Sequence, residues 1–119
     1  MDYWKPICRV DEIPRLGARR LEKAGSPPVA IFKTADNSVF ALVDRCPHKG
    51  GPLSQGIVMA HGVACPLHNW TIRFEDGCAA APDEGCTPKL RVHIAEGVVH
   101  LDLAQLEALV GLDEVKSCA

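Results

Sequence analysis

A chain of 119 residues, 47% hydrophobic and 24% charged, is long enough to bury one core and too short for two. Its formal net charge of -2, with no basic block, excludes nucleic acid as the main partner. No apolar run approaches the roughly 18 residues of a membrane helix, and "MDYWKPICRV" has no signal-peptide layout, so the expected location is the cytoplasm, with no membrane partner.

In chain order, the first clear elements are "VAIFKT" (29–34) and "SVFALV" (38–43). They flank Ala35-Asp36-Asn37, which predicts a β-hairpin with its turn residues in place. "GVAC" (62–65) and "WTIRFE" (70–75) read as two further short strands. "KLRVHIAEGVVHLDL" (89–103) predicts one more hairpin. Leu90, Val92 and Ile94 lie on one face, Glu96-Gly97 turns, and Val99, Leu101 and Leu103 return. Only Leu103, Leu106, Leu109 and Val110 recur at helical spacing, which predicts a short helix capping the core. The last eight residues carry little pattern. The fold class is therefore all-β: antiparallel sheets or an open barrel with a short C-terminal helix. It forms a single domain over 1–119, with a Gly/Pro-rich subdomain inserted at about 44–82 and a tail at about 104–119.

The inserted stretch holds the chemistry. "CPHKGGPLSQGIVMAHGVACPLHNW" (46–70) contains a Cys-x-His, sixteen residues, and then a Cys-x-x-His. In a reducing compartment, clustered cysteines are metal ligands or reactive groups more often than disulfides. A Cys₂His₂ zinc finger has its two cysteines first and its two histidines second. Here Cys46 and His48 share one loop, and Cys65 and His68 share the next. If the loops face each other, the cysteines meet on one metal and the histidines on another, as a binuclear centre requires. A mononuclear structural zinc site is the alternative reading of the same four residues.

Through Cys46-Pro47-His48 and Cys65-Pro66-Leu67-His68 the chain resembles the Rieske iron–sulfur family. That resemblance implies a [2Fe–2S] cluster with Cys46 and Cys65 on the inner iron and His48 and His68 on the outer, solvent-facing iron. Gly50, Gly51 and Gly56 then permit positive φ and let backbone N–H groups approach the sulfides closely. Pro47, Pro52 and Pro66 are expected to stiffen the loops. High-potential members carry a loop-linking disulfide at the positions of Gly51 and Leu67, and hydroxyls where this chain has Trp70 and Ile72. Lacking these, the chain is expected at the low end of the family's range of potentials.

The segment "APDEGCTPKLRV" (81–92), with "WKPICRVDEIPRLGARRLE" near the start, is similar to the small subunit of assimilatory NAD(P)H-dependent nitrite reductase. The resemblance implies a large partner subunit carrying FAD, a [4Fe–4S] cluster and sirohaem, which reduces nitrite to ammonium. This chain would relay electrons or hold the complex together. It contains no G-x-G-x-x-G dinucleotide fingerprint, and no independent catalytic site is expected on it. Two alternatives stand beside this reading: a free-standing ferredoxin of a ring-hydroxylating dioxygenase, and a non-redox, metal-stabilised interaction module.

Outside the four ligands, Lys49 is read as a solvated loop lysine and Trp70 as a packing lid over the cluster loops. His61, His93 and His100 are read as solvent-facing, and Asp83-Glu84 as a solvated turn. Cys8 and Cys86 are read as buried thiols, with pairing to Cys78 or an interface as the alternatives for Cys86. Cys118 is read as an exposed free thiol.

Overall fold

The computed structural model describes residues 4–22, 25–47, 51–66, 70–81 and 83–109. Among these residues, ten strands form three antiparallel sheets. The strands are β1 (Trp4–Arg9), β2 (Gly17–Leu21), β3 (Val29–Lys33), β4 (Val39–Val43), β5 (Ile57–Val58), β6 (Gly62–Ala64), β7 (Thr71–Arg73), β8 (Lys89–Leu90), β9 (Val92–Ala95) and β10 (Val98–Asp102). One helix, α1 (Leu103–Ala108), follows β10 directly. The sheets have strand orders β1-β10-β9, β2-β3-β4-β8 and β5-β6-β7, and no closed barrel forms among the described residues.

The second sheet is the middle layer, and its sequence shows why. All five residues of β3 are buried, so this strand has no solvent face. Its side chains alternate between two cores. Val29 and Ile31 join Val39, Ala41 and Val43 in one core with Val99 and Leu101 of the first sheet. Ala30, Phe32 and Leu42 point the other way, into a core with Val58, Val63 and Ile72 of the third sheet. In that second core Phe74 lies parallel to Phe40 at 4.8 Å between ring centroids and tilted against Phe32 at 5.2 Å. Offset pairs of this kind add to the area they bury. The predicted 29–43 hairpin is confirmed residue for residue in register, from Val29↔Val43 to Lys33↔Val39. Asn37 takes the left-handed conformation (φ 68) that closes its turn.

The 89–103 hairpin is only partly as predicted. Lys89 and Leu90 leave it to pair with Leu42 and Ala41 of β4, so the turn-forming pair of strands is β9 and β10 alone. The break follows from burial. Leu90 reaches the core only from the middle sheet, whereas Ile94, expected on the inner face, is 42% exposed near the hairpin tip. The C-terminal prediction fares better: Leu106 and Leu109 pack into the first core. Asp102 caps the helix by accepting a hydrogen bond from the Gln105 N–H at 3.2 Å and also pairs with Arg91. Val110 and everything after it, including Cys118, lie outside the described residues.

Gly56 does not use the positive φ that glycine permits and is needed for another reason. Its φ is -83°, an ordinary value for any residue. What requires glycine there is proximity: a Cβ would sit 2.1 Å from the Ala64 carbonyl oxygen and 2.9 Å from a Val63 methyl. Gly56→Ala must therefore push β5 away from β6, and we expect it to cost about 1–3 kcal/mol, read as a lowered urea midpoint at unchanged slope.

Candidate metal centre

Both cysteines of the repeated motif lie in the second core, between the middle and third sheets. Cys46 is 2% exposed and Cys65 1% exposed, and neither is in a disulfide. Each begins a loop that closes in the same way. The Cys46 N–H donates to the Gly51 carbonyl at 2.8 Å, and the Cys65 N–H donates to the Trp70 carbonyl at 2.7 Å. Two six-residue loops, each shut by a bond from its cysteine to the fifth residue on, thus carry the two motifs. His48 and His68 belong to these loops but, with Lys49, Gly50, Leu67 and Asn69, lie outside the described residues.

The sheets hold the loops in place. The second loop is the tip of the β6–β7 hairpin, whose last pair is Ala64↔Thr71. The first loop leaves the end of β4 and returns through a 3₁₀ turn, Leu53–Gln55, into β5, which pairs with β6 through Ile57↔Ala64. The close approach of Gly56 to Ala64 therefore seats the exit of the first loop against the residue before Cys65.

A buried carboxylate ties the two ends of the first loop together. Asp44, two residues before Cys46, accepts hydrogen bonds from the Ser54 N–H and the Ser54 hydroxyl, both at 2.7 Å. It also pairs with the Arg20 guanidinium at 3.1 Å, with no part of its own side chain exposed. Its backbone N–H donates to the Pro28 carbonyl at 2.8 Å. Every oxygen of this buried group thus has a partner, as burial demands. Sequence reading missed the clamp, since nothing in "VDRC" or "PLSQ" marks the pair.

The surroundings suit a cluster of low polarity. Ile72 is fully buried and Trp70 half-buried, and both pack in the core that holds the two cysteines. Trp70 is thus beside the loops, as its reading as a lid requires. Cys8 is buried, as predicted, but in the other core; burial pushes its thiol up, which keeps it protonated and inert. His61 and His93 are exposed and His100 half-buried. His93 and His100 face each other across β9 and β10 beside Trp4, away from the cysteines.

Cys86 is not the buried thiol expected. It is exposed and forms a disulfide with Cys78, at the neck of the excursion that contains Asp83-Glu84. The neck is a narrow antiparallel pairing. The Ala79 N–H donates to the Gly85 carbonyl and the Thr87 N–H to the Gly77 carbonyl, both at 2.8 Å, which sets the two cysteines opposite each other.

The donor set fits an iron–sulfur cluster. Two buried cysteines on matched loops, neither in a disulfide, are of the soft-ligand type such a cluster takes, and both sit in an apolar core. The Rieske [2Fe-2S] domain family matches residues 3–95. The anthranilate 1,2-dioxygenase ferredoxin subunit of Burkholderia cepacia is 31% identical over 101 residues, which cover 84% of this chain and 92% of that protein. The 4beta-methylsterol monooxygenase of Methylococcus capsulatus is 42% identical over 79 residues. That match takes in 65% of this chain, and the chain spans only 20% of the monooxygenase's length. Among solved structures, a chain in the complex of oxygenase and ferredoxin of carbazole 1,9a-dioxygenase superposes with a TM-score of 0.75 at 23% identity, covering 87% of this chain and 95% of that one. A structure assigned as an NADH-dependent nitrite reductase small subunit from Mycobacterium tuberculosis gives a TM-score of 0.73 at 23% identity, covering 82% and 92%. Matched loops, buried cysteines and the length of the family match lead to one conclusion: the chain belongs to the Rieske family, whose cofactor is a [2Fe–2S] cluster of the Rieske type.

Proposed function

We propose that this chain is a one-electron relay subunit, with Cys46, His48, Cys65 and His68 as the cluster ligands, serving the large subunit of an NAD(P)H-dependent nitrite reductase in the cytoplasm. The observation that carries the ligand assignment is the matched closure of the two loops on Cys46 and Cys65. When bound, the cluster supplies a site that takes up and releases one electron. The chain's own residues do the rest. The core shields the cysteine side from water, the Asp44–Ser54 clamp fixes the first loop, and the β6–β7 hairpin fixes the second. No described helix is long and apolar enough to cross a membrane.

The nitrite reductase assignment is supported by the "DEGC" segment and by the presence of small subunits among the similar structures. These include one assigned as an NADPH-linked small subunit at 25% identity and a TM-score of 0.71. A second reading, a diffusing ferredoxin of a ring-hydroxylating dioxygenase, is favoured by the curated relatives, several of which are ferredoxin subunits. Affinity purification from the native cell separates the two. A subunit brings down a stoichiometric large flavoprotein containing sirohaem, whereas a ferredoxin comes down without it. Recovery of the chain alone, with efficient electron delivery to an oxygenase, would overturn the nitrite reductase reading.

The potential is a further expected result. By the family resemblance, Trp70 and Ile72 take the positions where high-potential members carry hydroxyls, and both pack in the core that holds the two cysteines. We expect a midpoint below zero within the family range of about −150 to +300 mV, read by a titration followed in the visible spectrum. A midpoint well above zero contradicts this account of the surroundings.

A further inference from the structure

The disulfide lies outside the proposed ligand set, and its position is informative. Cys86 is exposed and Cys78 half-buried, so the bond is open to an incoming thiolate from the Cys86 side. The loop it closes leans on the first cluster loop. Gly85, with φ +128, lies so close that a Cβ there would be 3.0 Å from the Pro47 Cβ, and Pro47 is the residue between Cys46 and His48. At the other end of the bond, Ala79 belongs to the same core as Cys46 and Cys65. Opening the bond would leave the neck with its two flanking hydrogen bonds, so the excursion can loosen without the sheet coming apart. The Cys78 sulfur is also 3.6 Å from the Asp76 carbonyl oxygen, close enough for a freed thiol to donate to it. The Cys78 N–H is meanwhile held by the Asp76 carboxylate at 2.9 Å.

We propose that Cys78–Cys86 is a thiol-exchange site for a dithiol reductant, and that its state sets how firmly Gly85 braces Pro47 and, through it, the first ligand loop. A thiolate of the dithiol attacks the Cys86 sulfur, forming a mixed disulfide. The broken S–S electron pair goes to Cys78, which takes up a proton. The second thiol of the donor then attacks the mixed bond and leaves as part of the donor's own disulfide, and Cys86 is released and protonated. In all, two electrons and two protons pass to this chain. The significance for cluster control rests on the ligand assignment proposed above and on a reducing compartment. The exchange itself rests on neither.

The test uses the cluster-loaded protein in buffers of graded reduced-to-oxidised dithiothreitol, with no denaturant. Thiols are trapped by alkylation, peptides are weighed to locate the label, and amide exchange is followed at residues 46–51. We expect Cys78 and Cys86 to gain label together. We also expect the Cys46 amide, now bonded to Gly51, to exchange about tenfold faster once they do, as a local constraint is lost. The Cys78→Ser/Cys86→Ser double variant should exchange at that faster rate without any dithiol and should not respond to it. Labelling only after denaturation, thiols that stay free under oxidising buffer, or labelling with unchanged exchange at 46–51 would each overturn the proposal. Should labelling and faster exchange occur in protein that shows no Rieske spectrum, this proposal stands and the ligand assignment falls.

Discussion

Cys65→Ser is expected to abolish the Rieske electron paramagnetic resonance signal and the bound iron while leaving the β-sheet circular dichroism in place. The sulfur is 1% exposed and free, at the base of the loop that its own N–H closes on Trp70. Serine keeps the shape but offers a hydroxyl that stays protonated at neutral pH, so one of two thiolate ligands is lost. The variant also buries a hydroxyl among Ile72, Val63 and Phe74, at a cost of about 1–3 kcal/mol if no partner is found. Cys46→Ser should behave in the same way. The discriminating control is Cys8→Ser. That cysteine is equally free but sits in the other core, so its loss should lower stability modestly and leave the spectrum untouched. Iron content, the reduced spectrum and thermal unfolding of the three variants check this together. A full signal from Cys65→Ser removes the ligand assignment.

The second large effect belongs to Asp44→Ala. This change removes the acceptor of two hydrogen bonds from Ser54 and the partner of Arg20, and leaves the half-buried Ser54 N–H and hydroxyl without that acceptor. We expect it to cost about 2–4 kcal/mol, most of it for the stranded donors, since Arg20 is partly exposed and can rehydrate. Asp44→Asn keeps one acceptor oxygen and should cost less, and Ser54→Ala should cost about 1 kcal/mol. The two residues share their interaction, so the Asp44→Ala/Ser54→Ala double variant should fall short of the sum of the single costs. A clamp on the first loop also predicts faster loss of iron from Asp44→Ala than from Gly56→Ala at matched stability. Additive costs with unchanged iron release would reduce Asp44 to an ordinary buried carboxylate.

What the sequence revealed and what it hid follow from how local each feature is. The β3–β4 hairpin was legible because its turn and both its apolar faces lie within fifteen residues, and the buried run "VAIFK" reads as a strand on its own. β1 was not: it contains Pro6, exposes Lys5 and Arg9, and has a register irregularity between Pro6 and Cys8. It is a strand because β10, some ninety residues later, pairs with it. β2 was hidden by exposed Arg19 and Arg20, which suit an edge strand and carry no apolar alternation. In the site, the cysteine–histidine spacing was readable because it is local to each loop, and its two cysteines fall at the two matched loop closures. The Asp44–Ser54 clamp was not, and the Cys78–Cys86 bond stood only as an alternative to a buried thiol, because three-dimensional register decides them. Only the pairing of Gly77 with Thr87 and of Ala79 with Gly85 makes those two cysteines opposite neighbours. The role of Gly56 was hidden for the same reason: the sequence shows a residue without a side chain, and only the sheet shows which atom it must avoid.

The central claim is that the two matched loops hold a cluster through two cysteines and two histidines, and pulsed electron paramagnetic resonance of the dithionite-reduced protein tests it most directly, alongside iron and sulfide content. The account predicts equal iron and sulfide, a rhombic signal with the low average g value of histidine-ligated clusters, and hyperfine coupling to two directly bound imidazole nitrogens. A signal without nitrogen coupling, or a reconstituted protein that binds zinc or no metal, would contradict it.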